Sequence, residues 1–254
     1  MKKQNYTGIQ SVVTGGTSGI GRATVEALVA NGALVRVMSR SADKLEKLKR
    51  EVKGAIEILQ GDVTDSAAVA RSLEGITPDL LVLSAGQQPV RGSVAEHTWE
   101  SFSTNWNNDV KSTFLFGQEV IRRPMRAGST VVILSSGAAL APGGGPLSGG
   151  YSGAKWTQKL LAVYLQGISD QRKLGIRFVA LVPMQPIVGT EIADKSSKMY
   201  AEKAGITPEK FMEKFGKPLT PRMVADGILT LSRGEGPAGP AIAISGNKGL
   251  EAMG

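Results

Sequence analysis

The sequence predicts an α/β protein with a doubly wound, seven-stranded parallel sheet and helices on both faces. Two observations predict it: apolar runs of strand length recur along the 254 residues, and helical patterns separate most of them. Alternation of this kind builds βαβ units. Several of the runs are apolar nearly throughout, as expected of strands covered by helices on both sides.

The strand-like runs are IQSVVT (9–14), ALVRVM (33–38), AIEILQ (55–60), DLLVLS (79–84), TVVILS (130–135), IRFVALV (176–182) and AIAIS (241–245). Helical patterns fall at 20–30, 42–52, 66–74, 99–123 and 152–173. Residues 184–219 break the alternation, being far longer than an ordinary connection. Within them, Thr207 as N-cap and Pro208 at the first helical position start a short helix, and Gly216 suits its end. Thr220 and Pro221 repeat the device for the next helix. No repeat or linker divides the chain, so residues 1–254 are read as one domain with an inserted helical lid at about 184–219.

Composition excludes several classes of function. The chain has no cysteine and one histidine, His97, which rules out disulfides, thiolate catalysis and multi-histidine metal sites. His97 sits in a polar, loop-like context and is read as structural. The net charge is +8, but the cluster at 44–50 is interleaved with Glu46 and Glu51, as on a solvated helix face. Nucleic-acid binding is therefore not expected, whereas an anionic cofactor or substrate is favoured. No run is long and apolar enough for a membrane span, and no apolar segment follows the basic start, so a cytoplasmic protein is expected.

The first strand runs into TGGTSGIG (14–21), followed by a helical pattern. Gly15, Gly19 and Gly21 let the backbone turn sharply and approach a ligand, and the helix offers its N-terminal amides to a pyrophosphate. The second strand ends in Ser39 and Arg40, where a carboxylate would bind a ribose 2′-hydroxyl. A guanidinium there suits a 2′-phosphate and points to NADP(H).

The second motif is YSGAKW (151–156), in which Tyr151 and Lys155 stand four apart on one helix face. With TGGTSGIG and YSGAK both present, the chain resembles the short-chain dehydrogenase/reductase family over about residues 6–246. The resemblance implies a Rossmann-like fold and a Ser-Tyr-Lys catalytic set: Tyr151, Lys155 and Ser136, with Ser135 the alternative to Ser136. It implies a cofactor site of Gly15, Thr17, Ser18, Gly19, Ile20, Gly21, Ser39, Arg40, Asp62, Val63, Ala85, Gly86, Tyr151, Lys155, Pro183, Val188 and Thr190. Asp62 corresponds to the family's adenine-contacting acid and Thr190 to its carboxamide-contacting threonine.

The sequence departs from the family pattern at several places. SAG (84–86) replaces the family NAG, and PMQP (183–186) replaces the PG motif. Ser136 stands fifteen residues before Tyr151, slightly more than usual. The family's relay asparagine falls at Asp109, with Asn108 beside it, so Asp109 joins the expected catalytic group.

A free phenol titrates at about 10, and a nearby ammonium favours its ionised form. Lys155 would supply that charge and, by resemblance, hold the nicotinamide ribose. Ser136 would hydrogen-bond the substrate oxygen as charge develops. The expected activity is NADP(H)-dependent hydride transfer between a carbonyl and a secondary alcohol, with no metal required. The alternatives are a non-catalytic NADP(H)-binding redox sensor, an epimerase or dehydratase of the same family, and, as to substrate, a 3-oxoacyl thioester reductase. Met199, Tyr200, Phe211, Met212 and Phe215 of the lid, with Leu140, Pro142 and Leu147, are candidate pocket residues for a substrate with a hydrophobic body. Helices 99–123 and 152–173 are expected to form the interface of a homo-dimer or homo-tetramer, by analogy with the family.

Overall fold

The computed structural model describes residues 6–140 and 147–253, so Pro142 lies outside the described residues. Each expected strand forms: β1 (Gln10–Thr14), β2 (Leu34–Ser39), β3 (Ile56–Gln60), β4 (Leu80–Leu83), β5 (Thr130–Leu134), β6 (Arg177–Pro183) and β7 (Ala241–Ser245). The sheet has eight strands rather than the expected seven, in the order β3-β2-β1-β4-β5-β6-β7-β8. The eighth, β8 (Gly249–Ala252), folds back antiparallel on β7 with Ser245 opposite Gly249. All other pairs are parallel. Short and only partly buried, β8 carries none of the apolar signal that marks the inner strands.

The pleat sorts the strand residues into two cores. Val13, Leu80, Val82, Val132, Leu134, Val179 and Leu181 pack with α1 (Gly19–Ala30), α2 (Ala42–Glu51) and α9 (Pro221–Ser232). Their neighbours Val12, Leu81, Leu83, Val131, Ile133, Phe178 and Ala180 pack on the other face with α3 (Ser66–Leu73), α5 (Lys111–Arg122) and α6 (Gly149–Gln171). Burial on both faces explains why these strands read as continuous apolar runs.

The pattern at 99–123 is not one helix. It divides into α4 (Trp99–Phe102), a π-helical turn (Trp106–Val110) and α5. The wider turn shifts the helical register just where Asp109 enters the interior, and such turns are frequent at functional sites. Segment 184–219 holds α7 (Glu191–Lys203) and α8 (Pro208–Glu213). Thr207 and Thr220 cap α8 and α9 as their sequence predicts, accepting from the Lys210 and Met223 amides at 3.3 and 3.2 Å. Among the described residues no helix is long and apolar enough to cross a membrane.

Candidate active site

Strand order reverses between β1 and β4, and a cleft of about 870 Å³ opens there at the carboxyl ends of the strands. Every site residue expected from the sequence lines it except Val188. The Val188 amide is bonded to Leu219 O at 3.0 Å, and Ile187 faces the cleft in its place.

The turn after β1 requires its glycines. Gly15 has φ +66°, and a Cβ there would lie 2.7 Å from Ala85 Cα. A Cβ on Gly21 would strike the Gly15 carbonyl oxygen and Ser84 Oγ. The turn is thus pressed against the end of β4, which leaves a cradle at the start of α1 that backbone amides can fill with an anion. Ser84, which stands in place of the family asparagine, donates from its hydroxyl to Thr14 O and ties β4 to β1.

At the β2 end stand Ser39 and Arg40, joined by Ser41 and Lys44 from the first turn of α2. The sequence reading missed these last two, although an i+4 lysine after Arg40 was available as a signal. Asp62 accepts from the Thr64 amide and hydroxyl, both at 2.8 Å. Those bonds, the amide first, hold its carboxyl below the ordinary range despite partial burial, with Arg40 adding to the effect.

At the other end α6 presents Tyr151 and Lys155 on one face, with Lys155 Nζ 5.6 Å from the Tyr151 ring centre. The Lys155 ammonium is buried and has three protein acceptors. These are Gln158 Oε1 at 2.8 Å, Asp109 Oδ2 at 3.1 Å and Leu134 O at 3.2 Å. Burial alone would push the Lys155 pKa down, but the Asp109 carboxylate, helped by the Tyr151 phenol, reverses this and leaves it raised. Asp109 Oδ1 accepts from the Gln87 amide at 2.8 Å, which fastens the loop after β4 to the same network. Its backbone carbonyl is taken by Gln158 Nε2 at 3.1 Å and Thr113 Oγ1 at 2.9 Å. Asn108 turns instead to Thr104 O at 2.8 Å. Between the two candidates, Asp109 is the one that meets the lysine.

The two serines after β5 differ in the same way. Ser135 Oγ is buried and donates to Lys155 O at 2.7 Å, which occupies it in holding α6 to the sheet. Among the described residues Ser136 Oγ accepts from the Ala138 amide alone, at 3.3 Å. The altered PMQP segment is pinned by Gln185, which donates to Lys217 O at 2.9 Å and accepts from the Gly246 amide at 3.0 Å. Of the apolar candidates, Tyr200, Phe211 and Phe215 line the cleft, whereas Met199, Met212, Leu140 and Leu147 do not. His97 stays outside it, bonded to Ser101 Oγ at 2.9 Å.

The family model for short chain dehydrogenases matches residues 10–201. The chain belongs to the short-chain dehydrogenase/reductase family. These oxidoreductases use a nicotinamide cofactor, and the glycine cradle described above fits its pyrophosphate. The protein is 35% identical over 137 residues to carbonyl reductase (NADPH) 2 of Sus scrofa, covering 53% of this chain and 55% of that one. It is 32% identical over 189 residues to 2,5-dichloro-2,5-cyclohexadiene-1,4-diol dehydrogenase of Sphingobium indicum, covering 70% and 73%. The first of these matches thus spans only about half the length of the curated relative. Among solved structures, a blue fluorescent protein from a metagenomic library in complex with NADPH aligns with TM-score 0.76 at 24% identity, over 96% of this chain and 98% of that one. That likeness concerns the fold.

Proposed function

We propose that this family member is an NADP(H)-dependent oxidoreductase that interconverts a carbonyl group and a secondary alcohol. The observation that carries the reading is the placement of Ser136, Tyr151 and Lys155 in the same cleft as the glycine cradle and Arg40. The names of two relatives, carbonyl reductase (NADPH) 2 and L-xylulose reductase, agree with a reductase of this kind.

The nicotinamide, when bound, supplies or accepts the hydride. Tyr151 gives its phenolic proton to the oxygen of the carbonyl being reduced, or takes that proton from the alcohol being oxidised. Ser136 donates a hydrogen bond to the same oxygen as charge develops on it. Lys155 keeps its positive charge beside the phenol because Asp109 compensates its burial. To grip a ribose hydroxyl as well, the ammonium must share or release one of its three protein acceptors. Arg40, with Lys44, Ser39 and Ser41, binds the 2′-phosphate.

The segment carrying α7 and α8 acts as a lid whose Tyr200, Phe211 and Phe215 cover the substrate. Their rings form one wall: Tyr200 and Phe211 stack at 5.9 Å, and Phe211 meets Phe215 edge-on at 5.5 Å. The protein works as a homo-oligomer. Trp156, Leu160, Val163 and Tyr164 of α6, with Phe114 of α5 and Trp106 beside it, leave a broad apolar face exposed.

A panel of ketones, aldehydes and secondary alcohols, assayed with NADP(H) and NAD(H) side by side, tests the proposal. Turnover with NADP(H) in preference to NAD(H) is expected. Binding of NADPH with no turnover of any compound would overturn it in favour of a non-catalytic binder.

A further inference from the structure

Arg91 lies in the loop between β4 and α4, and its guanidinium lines the cleft at the Tyr151 end. A guanidinium carries five N–H donors. Among the described residues it makes a single hydrogen bond, from Nη2 to Ile192 O at 3.5 Å, and Nε is shut away from water with no acceptor. Three residues earlier, Gln88 Oε1 is likewise buried and unpartnered. Burial lowers the Arg91 pKa, while the Tyr200 and Tyr151 phenols work in the opposite direction. Arg91 as a whole is only half-buried, but its Nε and the Gln88 Oε1 are polar atoms shut away from water without a partner, and such atoms mark a place where a ligand belongs.

The other charges of the cleft are either paired or stand at its far end. Lys155 is paired with Asp109 at 3.1 Å, and Glu191 with Lys195 at 2.6 Å. Asp62, Arg40 and Lys44 stand at the β2 end, where the nucleotide's adenosine half would lie. Arg91 is therefore the uncompensated positive group beside Tyr151 among the described residues. Around it stand the Tyr200–Phe211–Phe215 wall and the Ser148 hydroxyl, which lies 3.1 Å from Tyr200 Oη.

We propose that Arg91 binds a carboxylate carried by the substrate, so that the protein acts on oxo acids and the corresponding hydroxy acids with an apolar or aromatic body. The planar fork of a guanidinium matches a carboxylate through two parallel hydrogen bonds, and the partly dry setting strengthens them. The inference rests on the oxidoreductase reading and names its substrate class.

The test pairs phenyl-substituted 2-, 3- and 4-oxo acids with their methyl esters in NADPH-dependent reduction by the wild type, Arg91→Lys and Arg91→Gln. The wild type is expected to favour at least one acid over its ester by about tenfold or more in kcat/KM, the size of a charged hydrogen bond. Arg91→Gln should collapse that ratio through a raised KM for the acid, with Arg91→Lys in between. NADPH affinity, read by fluorescence, should stay within about twofold, since a charge committed to the substrate leaves the nucleotide untouched. Equal use of acid and ester by the wild type overturns the proposal without touching the oxidoreductase reading, and needs no variant to fold. So does a loss of NADPH affinity in Arg91→Gln. If the broad panel of ketones, aldehydes and alcohols is turned over and these compounds are not, the carboxylate proposal alone fails. If none of these compounds is reduced and the broad panel also shows no turnover, the oxidoreductase reading fails. Calorimetric binding of the oxo acids to wild type and Arg91→Gln in the presence of NADP+ then decides the carboxylate site alone: binding lost in the variant supports it, and equal or absent binding overturns it.

Discussion

Asp109 Oδ2 lies 3.1 Å from Lys155 Nζ, a buried ion pair that joins the π-helical turn to the second turn of α6. A neutral asparagine would position the lysine by hydrogen bonding alone. The carboxylate also supplies the charge that offsets the cost of burying the ammonium.

Asp109→Asn therefore keeps the shape and removes the compensation. Losing one partner of a buried pair costs about 3–5 kcal/mol, so a clear fall in melting temperature is expected. The pH dependence has a definite sign. The Lys155 pKa is raised in the folded protein, so the ammonium persists, and its contribution is lost only as pH rises through that raised value. With Asn at 109, burial dominates and the pKa falls. The alkaline limb of kcat/KM should move to lower pH, whereas an unchanged limb would show that Asp109 does not govern the charge of Lys155.

The serines separate in a second experiment. Ser136→Ala should lower kcat about 10²-fold with little change in melting temperature, as for a lost oxyanion donor. Ser135→Ala should cost about 1 kcal/mol of stability, because the side-chain hydrogen bond that ties α6 to the end of β5 through the Lys155 carbonyl is lost. The reverse pattern would exchange their roles.

In the proposed function cofactor choice hangs on Arg40. Arg40→Ala should weaken NADPH binding about tenfold or more, within the range of a charged hydrogen bond to phosphate, and leave NADH nearly unaffected. Fluorescence titration with both nucleotides reads the difference. Equal loss for both would place Arg40 outside the 2′-phosphate site.

The exposed face of α6 offers a fourth check. Tyr164, 64% exposed, and Leu160, 47% exposed, lie one turn apart. Leu160→Glu with Tyr164→Glu should shift the protein to a smaller species in light scattering while its circular dichroism is retained. A wild type that is already monomeric would remove the interface.

Much of this architecture was legible because its signals are local. Val12 and Val13 face opposite cores, and a strand buried on both sides needs apolar residues at both positions. Gly15 and Gly21 are demanded by a turn that leaves no room for a Cβ. What escaped depends on tertiary placement. Gly249–Ala252 becomes a strand only because β7 presents an edge, and its four residues show no pattern of their own. The π-helical turn interrupts a stretch whose spacing suits an unbroken helix. Gln158 carries no motif of its own, yet it lies at the centre of the lysine network. Arg91 sits in a loop where periodicity says nothing, and only the fold brings it to the Tyr151 end of the cleft.

The central claim is that Tyr151 moves the proton in hydride transfer. Tyr151→Phe, assayed with NADPH and the best substrate of the panel, tests it most directly. A fall in kcat of about 10²-fold or more, with NADPH still bound at near wild-type affinity, is predicted for the loss of a general acid. Full activity in the variant would contradict the account.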